Sequence, residues 1–223
     1  MPNPDFKRAH RPEQKEERRR QILRAASELL ASEGFDGVSL NAIARSVGVA
    51  KSNLYRYFDS REDIFLHLLQ ADFGGWVTEV ERRLAEFAGS DDADGVSTAL
   101  ASACAERPRT CALISVLAAV LEQNASEDSL RSFKYATLGL GLRLGNALHA
   151  ALPSLSVAQC AVLMQPVYAL VAGLWPAKQY TEAMERVMQE PALAPFATSF
   201  EEELRRSLHM LILGAQASAR EEG

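Results

Sequence analysis

Hydrophobic residues recur every three or four positions along most of this chain, the spacing of helices that bury one face. A first helix is predicted from about Pro12 to Ser32, ending at Gly34. Its apolar face is formed by Ile22, Leu23, Ala26, Leu29 and Leu30. Later helices, separated by runs rich in Pro, Ser, Asn and Asp, are predicted over 93–105, 109–123, 127–151, 156–174, 178–189 and 198–219. The pattern predicts an all-α protein.

Two short helices joined by a glycine are predicted between Ser39 and Phe58. Ser39 can cap the first of them by accepting from a free main-chain N–H group. The buried face of this helix is formed by Leu40, Ile43, Ala44 and Val47. Gly48 follows where a helix end often takes the left-handed conformation, and Leu54 lies four residues before Phe58, on the inner face of the second helix. This spacing is that of a helix-turn-helix, which predicts a protein that reads DNA.

The outward surface of the second short helix carries side chains that suit a DNA ligand. They are Lys51, Ser52, Asn53, Tyr55, Arg56 and Tyr57. Lys, Asn and Arg can hydrogen-bond base edges in the major groove, and Ser and Tyr hydroxyls or Lys and Arg charges can bind phosphate oxygens. The alternative is an ordinary helical hairpin whose polar face is solvated.

Residues from about Glu17 to Leu69 resemble the TetR (tetracycline-repressor) family of transcriptional regulators. The resemblance lies in the segments 29–35, 38–39, 43–44, 48–49, 54–58 and 60–65. It implies a helix-turn-helix domain over 13–72, followed by a larger helical domain over 73–223. The cations and prolines of residues 1–12 predict a flexible basic arm before the first helix. At the start of that larger domain, Gly74 and Gly75 predict either a close helix crossing or a bend.

The resemblance also implies roles for individual residues. It places Lys51, Ser52 and Asn53 in the major groove, Tyr55 and Arg56 beside bases or sugar, and Tyr57 at a phosphate. Supporting positions are implied for Ser39 near phosphate, Asn41 at an occasional base contact, and Arg61 at the start of the fourth helix, which is predicted to open at Ser60. Two positions depart from the family pattern: Ala50 stands where a Ser or Thr cap is frequent, and Arg61 replaces a frequent Lys.

Family members dimerise through their last two long helices, which correspond here to the segments near 156–174 and 198–219. Both segments have wide apolar faces, although burial within one subunit would also explain them. A two-fold dimer presents two reading helices to a palindromic operator. The resemblance further implies a repressor that a small apolar or amphipathic effector releases from DNA, but the sequence assigns no effector-binding residue.

Charge is divided unevenly along the 223 residues. The net charge is −5, yet residues 1–62 hold 12 Lys or Arg against 9 Asp or Glu, a net +3, while residues 63–223 hold 12 against 20, a net −8. A basic end on an acidic body suits a protein that binds the DNA polyanion with one part only. An acidic surface also favours solubility.

Other chemistries lack their residues in this sequence. Cys104, Cys111 and Cys160 lack zinc-site spacing, and the four histidines form no HExxH pattern. The glycines of 139–145 lack the spacing of a nucleotide loop and favour close helix packing instead. We expect no cofactor, no metal ion, and cysteines that are buried and reduced.

No apolar run is expected to reach the roughly 18 residues of a membrane span, and the polar start has no hydrophobic signal segment. These features predict a cytoplasmic protein with no membrane partner. Two other functions stay open: a helical dimer that serves as an interaction scaffold, and an enzyme built in the larger domain. Salt-dependent binding to a palindromic duplex separates the regulator from both.

Overall fold

The computed structural model describes the backbone of residues 4–222 and the side chains of residues 12–194 and 196–221. Its elements are helical, which confirms the all-α prediction for that part of the chain. In chain order the helices are α1 (Pro4–Gly37), α2 (Leu40–Ser46), α3 (Lys51–Leu54), α4 (Arg61–Leu84), α5 (Ala93–Ala105), α6 (Pro108–Val116), α7 (Glu122–Asn124), α8 (Glu127–Ala151), α9 (Val157–Val162), α10 (Met164–Ala177), α11 (Glu182–Met188) and α12 (Phe200–Glu222). Short 3-10 segments cover Ala85–Phe87 and Pro191–Phe196, and a π-helical turn covers Leu117–Leu121.

The first of two compact units comprises the described residues up to Gln70 together with Leu117–Phe133. Its core consists of almost fully buried side chains from α1 to α4, among them Ile22, Ala26, Ile43, Leu54, Phe58, Ile64, Phe65 and Leu69. The Ser126 hydroxyl donates to the Asp59 carboxylate over 2.9 Å, a direct bond between the two parts of this unit. The sequence placed the unit at 13–72 and did not indicate the added segment.

The second unit comprises Ala71–Val116 and the described residues from Lys134 onward. In this unit α5 packs against α12, and α10 packs against α6 and α12. The rings of Trp175 and Phe200 meet edge to face with their centroids 5.1 Å apart. A further close approach joins α8 to α9, because a Cβ added at Gly145 would lie 3.6 Å from the Cβ of Ala161.

Some predicted boundaries and glycine roles are wrong. α1 begins at Pro4, where an irregular arm over 1–12 was expected; residues 1–3 lie outside the described part. The sequence predicts Pro12 as the start of the helix, whereas it lies inside α1, and the residues before it carry no apolar helical pattern that would predict the extension. The helix expected over 109–123 is divided by the π-helical turn, and the one expected over 178–189 covers Glu182–Met188 only.

Four other glycines for which the sequence suggested close packing do not mark close contacts. A Cβ added at Gly74, Gly75, Gly139 or Gly141 would meet nothing within 4 Å, so the close packing expected at these positions is not observed. α4 continues through the Gly74–Gly75 pair without interruption. Among the glycines of 139–145, only Gly145 lies against another helix.

The stretch formed by α9 and α10 is unusually apolar. Val157–Ala177 is long and apolar enough, by length and composition, to cross a membrane, with a mean hydropathy of 1.6 and 17% of the stretch buried. The expectation that no apolar run reaches this length is therefore wrong. Gln159 and Gln165 interrupt the apolar run, but both are uncharged and the mean hydropathy remains at 1.6. A helix on which a second protein surface packs can be equally long and apolar. We therefore interpret Val157–Ala177 as apolar surface that another protein surface covers.

Candidate nucleic-acid interface

The first helix of the predicted motif is held by a cap and a turn. The Ser39 hydroxyl accepts from the main-chain N–H of Ala42 over 3.2 Å, which confirms the predicted cap. Gly48 has a φ of 69°, a left-handed conformation that costs a glycine little. The N–H of Val49 then donates to the carbonyl of Ala44 over 3.0 Å and closes the turn. The turn between α2 and α3 is the one that the sequence predicts.

Residues 51–58, which we call the reading segment, contain less regular helix than their sequence pattern suggests. α3 covers Lys51–Leu54, and Ala50 supplies no side-chain cap, as its residue type predicts. The chain then continues in turns, with the N–H groups of Tyr57 and Phe58 both donating to the carbonyl of Leu54, over 2.8 and 3.0 Å. Leu54 and Phe58 are 1% and 2% exposed, which confirms that they face inward.

These two anchors leave the remaining side chains of the reading segment on the surface, which we call the reading surface. Lys51, Ser52, Asn53, Tyr55 and Arg56 are all exposed, and 52% of Tyr55 is accessible to solvent. The cationic, amide and hydroxyl groups of these side chains provide hydrogen-bond donors, and the exposed ring of Tyr55 provides an aromatic face. Ser39 and Asn41 on or beside α2 are exposed as well, whereas Tyr57 is half-buried. The structure thus brings eight of the nine candidate residues to α2, α3 and the turn after α3.

Arg61, the ninth candidate, is engaged within its own unit. Its guanidinium donates to the carbonyl of Val38 over 2.9 Å and to the Glu62 carboxylate over 3.0 Å. It also lies 4.7 Å above the ring of Phe35. These contacts join the start of α4 to the segment between α1 and α2. This geometry favours a positioning role for Arg61.

Arg19 is a residue that sequence reasoning missed. From α1 it donates to the main-chain carbonyl of Tyr57, and its guanidinium lies 4.4 Å from the centroid of Phe58. Its other terminal nitrogen lies 3.0 Å from Nε2 of His67 on α4. Since an arginine only donates, His67 must accept through a neutral ring. One side chain therefore joins α1, the end of the reading segment and α4.

The environment of His67 agrees with that neutral state. Burial is the main cause that lowers the pKa of His67 below 6.5, and the positive charge of Arg19 acts in the same direction. The carboxylates of Asp63 and Glu16 oppose this shift and do not reverse it. Asp63, with Oδ1 at 3.7 Å from the ring, also accepts from the N–H of Asp59 over 3.1 Å, so it belongs to the same network.

Ion pairing differs between the second unit and the surface around α3. In the second unit Arg82, Arg83, Arg109, Arg143, Arg205 and Arg206 all pair with carboxylates. On the reading surface, Lys51 and Arg56 have no carboxylate within ion-pair distance among the described residues. The cations of the second unit are thus largely neutralised, whereas those beside α3 remain available to an anion. This local contrast agrees with the uneven charge of the sequence.

The described residues provide no metal-binding cluster, and their thiols are buried. No group of three or more His, Cys, Asp or Glu side chains within them could hold a metal ion. All three cysteines are free and buried, as predicted. Burial raises the pKa of Cys111 to about 12 and that of Cys160 to about 11, and it raises the pKa of Cys104 further, so these thiols are poor nucleophiles at neutral pH.

Sequence comparisons agree with this geometry. Residues 22–68 match the family model for bacterial regulatory proteins of the tetR family, and residues 70–219 match a model for the tetracyclin repressor-like C-terminal domain. Among curated proteins, the chain is 33% identical over 73 residues to the fatty acid metabolism regulator protein of Bacillus subtilis, covering 33% of this chain and 38% of that protein. It is 36% identical over 70 residues to the transcriptional activator FasR of Mycolicibacterium smegmatis, covering 31% and 32% respectively. The chain thus matches about a third of the length of these relatives.

Solved structures share the fold along most of the chain. Thermus thermophilus FadR, a TetR family transcriptional repressor in complex with lauroyl-CoA, aligns with a TM-score of 0.59 and 22% identity over 87% of this chain and 93% of that chain. Bacillus subtilis FadR in complex with stearoyl-CoA aligns with a TM-score of 0.53 and 18% identity, over 87% and 97%. At these identities the likeness concerns the fold.

Proposed function

Because the chain belongs to the tetR family, whose members are DNA-binding transcriptional regulators rather than enzymes, we propose that it is a repressor that binds a palindromic operator as a homodimer in the cytoplasm. The observation that carries the proposal is the reading surface, in which exposed donors and cations are fixed by the buried anchors Leu54 and Phe58. A small effector binds the larger helical domain and releases the repressor, which requires that it bind one of two states more tightly.

Each reading-surface residue has a role in this proposal. Lys51, Ser52 and Asn53 enter the major groove, where amide and ammonium groups can hydrogen-bond base edges. Tyr55 and Arg56 contact bases or sugar, and Tyr57 contacts phosphate through its hydroxyl. The exposed side chains of Ser39 and Asn41 support the docking from α2, near phosphate and at an occasional base. Arg61 acts indirectly, by fixing the segment that leads into α2.

The homodimer is supported by the apolar surface of the last long helices. Only 17% of the residues in the α9–α10 stretch are buried, and Val162 is 69% exposed. On α12, Met210 and Leu213 are 60% and 47% exposed. Exposed apolar surface of this kind is typical of an interface, and pairing these helices with their two-fold copies forms a four-helix bundle. The dimer then presents two copies of α3 to the two half-sites of a palindrome.

The operator can be found and the reading surface tested with one set of reagents. Genomic fragments that bind the purified protein are enriched and sequenced, and fluorescence anisotropy then measures the affinity for the enriched duplex. We expect Lys51→Ala and Tyr55→Ala each to weaken binding about 5- to 100-fold, the cost of removing one bond to a base or phosphate. Arg186→Ala, an exposed change in the second unit, serves as control and should leave affinity unchanged. Enrichment of no palindrome, or full affinity in both variants, contradicts the proposal.

The effector class that we propose is a long-chain acyl-CoA thioester. The support comes from similar proteins. They include a fatty acid metabolism regulator and two FadR structures, one in complex with lauroyl-CoA and one with stearoyl-CoA. An acyl-CoA combines an apolar chain with a polyanionic head, which agrees with an amphipathic effector. Lauroyl-CoA and stearoyl-CoA should raise the Tm and weaken operator binding at least about tenfold, whereas CoA alone should do neither. If neither thioester raises the Tm, the effector class is wrong and the DNA-binding proposal is unaffected.

A further inference from the structure

We propose that Lys15 and Arg18 of α1 form a second DNA-backbone site, which binds phosphates beside the base pairs that α3 reads. This inference rests on the proposed function, because it extends the same interface along the duplex. It adds two residues that neither the helix-turn-helix pattern nor the family resemblance assigned. The ligand is the phosphodiester backbone of double-stranded DNA.

The site is an open groove of about 840 Å³ in the first unit. Lys15, Glu17 and Arg18 line it from α1, and Arg56 and Tyr57 line it from the turn after α3. Two of the residues proposed to touch DNA therefore share one concave surface with the α1 cations. In this proposal, a duplex that contacts Arg56 and Tyr57 runs its backbone along this groove.

The groove is electropositive. Lys15, Arg18 and Arg56 have no carboxylate within ion-pair distance among the described residues. Glu17, the acidic group of the lining, is already engaged: it lies 3.0 Å from the guanidinium of Arg20 and accepts from the Gln21 amide over 3.3 Å. Three cations of the lining thus face one carboxylate that has its own partners. This arrangement attracts an anion whose charges are spaced along its length, as phosphates are in a duplex.

The position of the groove relative to α3 is fixed. Arg19, which follows Arg18 in the chain, bonds to the main-chain carbonyl of Tyr57 and packs on Phe58. The helix that carries the proposed phosphate site is therefore attached to the end of the reading segment itself. A contact to the DNA phosphates can set the register of the base contacts only if the cations lie at a fixed distance from the reading helix.

The test uses a fluorescein-labelled duplex of mixed sequence, so that it does not depend on knowing the operator. Affinity is measured by anisotropy between about 25 and 150 mM NaCl for wild type, Lys15→Gln, Arg18→Gln and the matched control Arg24→Gln. Arg24 is a solvent-accessible arginine of α1 that does not line the groove. Glutamine preserves helix propensity while it removes the charge.

Each groove variant should lower the slope of log affinity against log salt by about 0.9 for every phosphate that the protein no longer binds, and should weaken binding about 3- to 10-fold near 100 mM salt. Arg24→Gln should keep the wild-type slope. Unchanged Tm and circular dichroism establish that the variants are folded. If wild type binds and Arg18→Gln and Lys15→Gln behave like Arg24→Gln, this inference alone is overturned. If wild type binds no duplex at the lowest salt, the proposed function is overturned with it.

Discussion

Arg19 on α1 donates a hydrogen bond to the main-chain carbonyl of Tyr57, the residue at the end of the reading segment. The carbonyls at a helix end have no partner within the helix, so a guanidinium from a neighbouring helix satisfies one of them and restrains its position. The cation–π contact with Phe58 and the contact with His67 restrain the guanidinium in turn. Arg19 is therefore a positioning residue for the reading surface.

Replacing Arg19 by lysine tests this role. Lysine keeps the charge but cannot hold Tyr57 and His67 with two separate nitrogens, so we expect operator affinity to fall about 5- to 30-fold and the free energy of unfolding to fall by about 1–2 kcal/mol. Arg19→Gln removes the charge as well, and because a positioning residue binds no phosphate itself, the salt slope of this second variant should stay at the wild-type value. A slope reduced as far as in Arg18→Gln would instead mean that Arg19 touches DNA.

Acidification should destabilise the protein through His67. The folded state holds the pKa of His67 below its ordinary value of 6.5, so the unfolded chain binds the proton more readily. The resulting stabilisation is fully present above about pH 6.5 and is lost as the pH falls toward the lower folded pKa.

Urea unfolding at about pH 7.5 and 5.5 measures this loss. His67→Gln removes the titrating group and keeps a side-chain acceptor for Arg19, so it should lose less stability between the two pH values than wild type does. Equal losses in the two proteins would show that other groups account for the pH dependence.

Gly48→Ala should destabilise the first unit through its backbone alone. A Cβ at this position would meet nothing within 4 Å, so no clash contributes, but the φ of 69° costs an alanine about 1–2 kcal/mol. Gly48→Asn should cost less, since asparagine tolerates the left-handed region better. Chemical denaturation of the three proteins checks this order, and an alanine variant as stable as wild type would contradict it.

A charge at the proposed interface should separate the subunits. Val162→Glu places a carboxylate on the apolar face of α9, and we expect a monomer by light scattering and a loss of tight operator binding. Val187→Glu is the matched control, because Val187 is also exposed, at 45%, but lies on α11. A Val162→Glu protein that remains a dimer would place the interface elsewhere.

Features with local causes were predictable from the sequence. The cap at Ser39, the turn at Gly48 and the inward-facing pair Leu54 and Phe58 depend on residues close by in the chain. Residue type and spacing were therefore enough to predict them. The helices over 93–105 and 127–151 were located at their observed bounds because punctuating residues flank them.

Features that depend on tertiary contacts were not predictable. The partner of Arg19 is a main-chain carbonyl 38 residues away, and such a group has no residue type to recognise. The same holds for the bond between Arg61 and the carbonyl of Val38. At Leu117–Leu121, an uninterrupted apolar run gave no sign that the helix changes its hydrogen-bonding period there.

Leu117–Phe133 belongs to the same compact unit as the residues up to Gln70, so the DNA-reading head consists of two stretches that lie far apart in the chain. A gene fragment that stops after Gln70 would omit Leu117, Leu121 and Phe133, which are all buried, as well as the Ser126 partner of Asp59. Recombination that grafts such a fragment onto a foreign partner would therefore deliver an incomplete head, and any exchange that preserves reading must carry both stretches of the chain together.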